Sequence, residues 1–383
     1  MEAINTMTRE THTHHKIAIL ATGDEICHGD ITNSNSQEIA HRLVTHGMEV
    51  RMHMAAPDTV NEIESAMNFL LQSHDALIIT GGLGPTSDDL TRYALSKVLD
   101  RPLAFDETSW QYICERLTRF GYTTPPASNR QQALFPEGAT IIANPNGTAA
   151  GCYAKKGEQW IFMLPGPPNE CLPMLDTVIV PVLTQAHFQH ISYHKNWLLF
   201  GVSEGKIAEE MDLLAQPYDC VTGYRLFYPY IEFKIHSNNE HDFHQLVSIV
   251  EKTIQPYLIG NGQQMASTQL RQKLAASQLT LQIVDQATGG ALEAAITTPD
   301  TLAHLHFTKE KTHLPRIEIA GLDEFWQGKN DETQTSITIM LLDQQSETKK
   351  AVTIPFRGKR VIQYVVEFVS GTIYDFISAS GSD

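Results

Sequence analysis

The chain has 383 residues, of which 42% are hydrophobic and 19% charged, and a formal net charge of −16. Its length predicts two or three domains, and its composition is that of an ordinary soluble globular protein. The acidic balance argues against a nucleic-acid surface, which needs clustered Lys and Arg, but leaves small anionic ligands open. No apolar run approaches the length of a membrane span, so no membrane partner is expected. Met1 to His15 is polar, lacks the apolar core of a signal peptide, and predicts a flexible terminus over 1–15. Five scattered cysteines form no CxxC pair, which points to a reducing, cytoplasmic setting.

From Ile17 the chain alternates strand and helix. Ile17 to Ala21 reads as a buried strand. Ser36 to His46 carries Ile39, Leu43 and Val44 on one helical face, with Gly47 as a natural stop. Val50 to Ala56 predicts the next strand. Thr59 to Glu62 fits a capping box, continued by Ile63, Met67 and Leu70. Ala76 to Ile79 is a third apolar strand, and Leu90, Ala94, Leu95 and Val98 have helical spacing. This β-α-β-α-β order predicts a three-layer α/β domain with a parallel sheet, whose ligands bind beyond the carboxyl ends of the strands. Trp160 to Leu164 adds a strand. After about Pro181 the character changes. The span 191–260 reads as a small α+β domain, with strands at Trp197–Phe200 and Ile231–Ile235 and helices at Ser203–Leu214 and Asp242–Ile254. The span 265–383 reads as an α/β domain, with a helix near Thr268–Ser277, a strand at Thr280–Val284, a Gly289-Gly290 turn and a final helix over Val361–Ile377.

The loop Thr80-Gly81-Gly82-Leu83-Gly84-Pro85-Thr86-Ser87-Asp88-Asp89 lies between a strand and a helix. Three glycines let backbone amides approach a ligand closely, and amides at a helix start suit a phosphate. Asp88 and Asp89 could hold a divalent cation against that phosphate; the plainer alternative is that one of them caps the helix. Gly23-Asp24-Glu25 follows the first strand, so the two acidic glycine turns are expected to meet at one sheet edge. Two further loops are rich in turn formers. One is Asn144 to Gly151, containing Asn146, Gly147 and Thr148. The other is Pro165-Gly166-Pro167-Pro168-Asn169-Glu170, where prolines fix a turn that could aim Asn169 or Glu170 at a ligand.

Together with Pro125-Pro126-Ala127-Ser128-Asn129-Arg130, these loops form an ordered series that closely resembles the N-terminal domain of the CinA family. That domain shares its fold with MogA/MoaB-type molybdopterin-binding proteins. The resemblance covers about 16–185; the 191–260 span looks like the family's small linking domain and 265–383 more faintly like its C-terminal domain. It implies metal-dependent hydrolysis of the pyrophosphate in ADP-ribose-like nucleotides. Gly82 and Gly84 would then hold phosphate oxygens with Gly81, Leu83 and Pro85 around them, and Thr86 would add a hydroxyl. Asp88 and Asp89 would place the metal, and Asp24, Glu25 or Glu170 could be the base. Asn35 and Asn146 suit hydrogen bonds to ribose or base, with Gly23, Gly147, Thr148, Pro165 and Gly166 lining the site. Oxygen ligands suit Mg²⁺ or Mn²⁺, with Co²⁺ open. The family tendency implies a homodimer.

Two departures stand out. Asn33-Ser34-Asn35 replaces the family's usual Asp-Thr-Asn, so a carboxylate is missing at Asn33. In the last domain, Asp285-Gln286-Ala287-Thr288-Gly289-Gly290 aligns with the Glu-Ser-Cys-Thr-Gly-Gly of deamidating members. Gln286 stands where the serine nucleophile belongs, and a carboxamide cannot form the covalent intermediate, so deamidation of nicotinamide mononucleotide is not expected. Two other readings stay open: a molybdopterin-binding or adenylylating protein, and a non-catalytic nucleotide-binding scaffold.

Overall fold

The computed structural model describes residues 15–310, 312–329, 333–342, 347–355 and 358–380. Of the expected flexible terminus, all but His15 lies outside the described residues; the His15 ring stacks on Phe188 with centroids 4.5 Å apart. The chain divides into two compact units after Ile191. Among the described residues no helix is long and apolar enough to cross a membrane, and no two of the five cysteines are bonded.

In the first unit the chain runs through β1 (Lys16–Thr22), α1 (Asp24–Cys27), α2 (Ser34–Thr45), β2 (Glu49–Ala56), α3 (Val60–Leu71), β3 (Ala76–Thr80) and α4 (Thr91–Leu99). It continues through β4 (Leu103–Phe105), α5 (Glu107–Arg119), β5 (Leu134–Pro136), β6 (Thr140–Ile142), β7 (Gly151–Lys156), β8 (Gln159–Leu164), α6 (Pro168–Met174) and α7 (Val180–Gln185). The main sheet has the order β2-β1-β3-β8-β7-β6. Its first four strands are parallel, as the alternating pattern predicted. The last two run antiparallel, so the sheet is mixed at that edge. β3 is buried along its whole length, because helices cover both faces. Ala18, Leu20, Leu77 and Ile79 face α3 and α4, packing on Ile63, Met67, Leu70 and Leu95. Their strand neighbours Ile17, Ile19 and Ile78 face the other way, onto Ile39, Leu43, Met174 and Leu183. The period-two alternation thus builds three layers. The expected box before α3 is present: Thr59 accepts the Glu62 amide and its hydroxyl donates to the Glu62 carboxylate at 2.6 Å.

The second unit begins with a three-stranded antiparallel sheet, formed by β9 (Tyr193–Phe200), β10 (Val221–Phe227) and β11 (Tyr230–Ser237) in the order β10-β11-β9. α8 (Glu204–Ala215) and α9 (Glu240–Ile254) cover one face, with Trp197 and Phe233 stacked at its centre. Then come α10 (Ala266–Ala275), β12 (Leu281–Asp285), α11 (Ala291–Ile296), β13 (Leu305–Phe307), β14 (Arg316–Gly321), α12 (Asp323–Trp326), β15 (Gln334–Leu342), β16 (Glu347–Pro355) and α13 (Arg360–Ser380). Their sheet has the order β13-β12-β14-β15-β16. The Tyr230 hydroxyl donates to Glu367 at 2.7 Å and accepts the Ala266 amide at 2.9 Å, while the Ser267 hydroxyl donates to the other Glu367 oxygen at 2.6 Å. A buried carboxylate with this many donors ties the small sheet to α10 and α13. Gln286 is exposed, and the Thr288 hydroxyl donates to Asp285 and accepts the Leu292 amide, so it is used inside its own turn.

Candidate functional site

Parallel strands end on the same side, so the loops that follow β1, β2, β3 and β8 gather at one edge. There they surround a cleft of about 590 Å³, lined by Glu25, Asn35, Asp58, Asp88 and Glu170 together with the glycine loop from Gly81 to Pro85. Close backbone approach makes this edge. The Gly23 amide donates to Ala56 and the Gly81 amide to Leu164, both at 3.1 Å, tying each loop to the neighbouring strand. The Thr22 hydroxyl meets Thr91 at 2.9 Å and donates to the Thr80 carbonyl. A Cβ at Gly81 would stand 2.4 Å from the Thr22 carbonyl oxygen, and one at Gly82 would stand 2.1 Å from the Thr91 hydroxyl. Both glycines also have positive φ, which side chains resist.

The glycine loop differs from expectation in which amides it offers. The Gly84 amide donates to Asp89 at 2.6 Å, and the Thr86 amide and hydroxyl donate to the other Asp89 oxygen. Asp89 therefore closes the turn; both of its oxygens and the Thr86 hydroxyl are taken. Neither Asp88 nor Asp89 caps α4, whose N-cap is Leu90 with no side-chain bond. The amides of Gly82 and Leu83 have no acceptor among the described residues. Beneath the loop lies Arg92, 1% exposed, donating to the Leu83 carbonyl at 2.6 Å and more weakly to Gly84. Burial pulls its guanidinium below the ordinary value, with the nearby Asp89 charge opposing. Gln131 donates to the Gly84 and Thr86 carbonyls, and Gln132, which lines the cleft, donates to the Leu83 carbonyl.

The acids converge on one rim. Asp58 was not singled out from the sequence. It follows β2 as Asp24 follows β1, and that repetition is the signal that could have found it. Burial raises the Asp58 carboxyl above its ordinary value, the Asp24 amide opposes this, and the charges of Asp24, Glu25 and Asp88 raise it further. Among the described residues no Lys or Arg pairs with Asp24, Glu25, Asp58 or Asp88. Asp24 itself does not line the cleft, because its carboxylate is bonded to the Asp58 amide. Asn35 does: its amide nitrogen donates to the Gly166 carbonyl and its buried Oδ1 has no partner among the described residues. Thr148, Pro165, Gly166 and Glu170 line the cleft as well, and Glu170 accepts from Asn144 at 2.6 Å. Asn146 and Gly147 do not line it. The Asn146 side chain donates to the Asn169 carbonyl, and the Gly147 amide is held by Asn144. Leu83 is buried, so only its backbone is available.

A family model described as a probable molybdopterin binding domain matches residues 18–185. A CinA-like protein from Geobacter sulfurreducens is 31% identical over 290 residues, spanning 74% of this chain and 70% of the relative. The chain belongs to the CinA-like family. A second member, from Citrifermentans bemidjiense, is 32% identical over 288 residues, with 74% and 68% covered. A crystal structure of the protein CinA from Thermoplasma acidophilum is 29% identical and covers 44% of this chain and 98% of that one, with a TM-score of 0.41. The family's molybdopterin-binding-like domain is thus the unit that holds the cleft.

Proposed function

We propose that the first unit hydrolyses the pyrophosphate bond of ADP-ribose or a related nucleotide with a divalent cation, and that the last domain has no deamidase activity. One observation carries this reading. A cleft at the carboxyl edge of parallel strands is lined both by Gly82 and Leu83, whose amides have no acceptor among the described residues, and by acids that no Lys or Arg among the described residues neutralises. Amides without acceptors suit phosphate oxygens.

The rim's chemistry fits a hard cation, since all its donors are carboxylate oxygens. Among the described residues no three acids stand close enough to hold an ion by themselves. Asp88 and Asp58 would therefore share it with substrate oxygens and water, as Mg²⁺ and Mn²⁺ sites commonly do. Asp89 is not counted as a ligand, because its oxygens already close the glycine turn. Such an ion supplies Lewis acidity to the phosphate oxygens. The Asn35 Oδ1 accepts from a sugar hydroxyl, and Glu25, which lines the cleft, takes the proton of the attacking water.

The test is a screen of dinucleotides against Mg²⁺, Mn²⁺ and Co²⁺ with the full chain, read by AMP release. ADP-ribose is expected to release AMP, and Asp88→Ala to abolish the release. No release from any dinucleotide with any of these ions overturns the reading. The match to a molybdopterin-binding model favours one rival, binding of molybdopterin in the same cleft. Tight molybdopterin binding without turnover of ADP-ribose would decide for it.

A further inference from the structure

An edge strand turns amides and carbonyls outward, where another strand can pair with them. Most edges here are short or charged. β4, β5, β6 and β13 have three residues each, Arg51 and His53 are exposed along β2, and Lys349 and Lys350 are exposed on β16. In the small antiparallel sheet the β9 edge is covered: the Leu198 amide donates to the Gly262 carbonyl at 2.7 Å, and Leu199 bridges Leu258. The opposite edge, β10, is different. It pairs with β11 in unbroken register from Val221 to Phe227, with no proline, lysine or bulge. Among the described residues β11 is its only strand partner. Every second residue of an antiparallel strand bonds to the same side, so the outer side of β10 keeps free donors and acceptors.

The side chains of this strand complement themselves. Val221, Leu226 and Phe227 are large, apolar and exposed. The one charge, Arg225, is paired with Glu232 at 2.7 Å, and its guanidinium carbon lies 5.6 Å from the Phe227 ring centroid. Consider a second β10 set antiparallel about a two-fold axis through Tyr224. Val221 then faces the partner's Phe227, Thr222 faces the partner's Leu226, and Gly223 faces the partner's Arg225. The apolar ends cover each other twice, and the glycine leaves room for the long arginine. Residues of the same face meet, so α8 and α9 of both copies stay on one side of the joined sheet. Moving the axis to Arg225 sets two guanidinium groups against each other, and moving it to Gly223 leaves Phe227 with nothing opposite.

We propose that β10 is a self-association edge. Two copies of the chain pair β10 to β10, antiparallel and centred on Tyr224, and merge their small sheets into one continuous sheet. The inference is independent of the reading of the cleft. Which surface joins two copies, and in what register, does not follow from the family tendency.

The test is sedimentation of the full chain at low salt over a concentration series. Val221→Lys with Phe227→Lys sets like charges opposite each other at both ends of the pair. Val221→Lys with Phe227→Glu sets opposite charges there. Both positions are exposed, and thermal melting checks that each variant folds. The parent is expected to dimerise, and the like-charge variant to raise the dimer dissociation constant at least roughly tenfold. The opposite-charge variant is expected to recover most of that loss. A monomeric parent, or a dimer that the like-charge variant leaves unmoved, overturns the edge. An opposite-charge variant as weak as the like-charge one overturns the register. Hydrogen exchange of the parent gives a reading that needs no variant: β10 amides should exchange more slowly as concentration rises through the dimer range, and unchanged exchange overturns the proposal.

Discussion

Asp24 and Asp58 hold each other by a reciprocal pair of hydrogen bonds. The Asp58 carboxylate accepts the Asp24 amide at 3.0 Å, and the Asp24 carboxylate accepts the Asp58 amide at 3.1 Å. The loops after β1 and β2 are locked together by this exchange, which fixes the Asp24 charge beside Asp58, a residue that lines the cleft.

The burial of Asp58 makes stability depend on pH. The Asp58 carboxyl is raised by burial and by the charges around it. A raised carboxyl binds its proton more tightly in the folded state, so its contribution is favourable at low pH and is lost as pH rises past the ordinary value of 3.8. Asp58→Asn keeps an acceptor for the Asp24 amide and removes the charge. The variant is expected to melt higher than the parent at neutral pH, with the gap closing in acid. Added Mg²⁺ should raise the parent's midpoint more than the variant's. A variant that melts lower than the parent at pH 7 would count against the acidic rim.

The paired acids of the glycine loop should separate by phenotype. Asp89→Ala strips the acceptors from the Gly84 and Thr86 amides, and is expected to cost about 2 kcal/mol in urea unfolding. Asp88 is exposed, so Asp88→Ala should change stability by no more than about 0.5 kcal/mol. The same change should lower AMP release by roughly 100-fold or more, the scale seen when one transition-state contact is lost. Equal effects of the two substitutions on both measurements would defeat this division of roles.

Arg92 is expected to be a structural cation for the loop. Arg92→Met leaves the Leu83 carbonyl with only the longer bond from Gln132 in a buried place, and about 2 kcal/mol of stability should be lost. Arg92→Lys offers one donor group in place of a planar fork and should recover only part of that loss. Chemical denaturation of the three proteins checks the order.

Gly81→Ala tests the close approach at the strand edge. The new methyl would meet the Thr22 carbonyl at 2.4 Å with φ at +101°, and neither backbone can yield cheaply. A loss of more than about 2 kcal/mol is expected, with weaker binding of AMP. An unchanged thermal midpoint would show that the two strand ends are looser than drawn.

Much of the fold could be read before any coordinates. Apolar runs at Ile17, Val50 and Ala76 with helical patterns between them are dictated by backbone periodicity, and three layers follow once each strand must hide both faces. The glycine loop was legible too, since glycine adopts positive φ values such as those at Gly81 and Gly82 at the least cost. α5 and β10 were not singled out: both are mostly exposed, although Trp110, Ile113 and Leu117 do give α5 a helical apolar spacing.

Residue types and their loops were set by the linear chain: acids and glycines placed directly after apolar strands. Tertiary structure alone decided which way each polar atom turned. Asp89 folds back on its own amides, Asp24 is spent on Asp58, Asn146 is drawn to Asn169, and Arg92 disappears beneath the loop. The Asp89 bonds close within one turn, but those of Asp24 and Asn146 join residues 34 and 23 positions apart, and no local pattern records which distant partner will arrive.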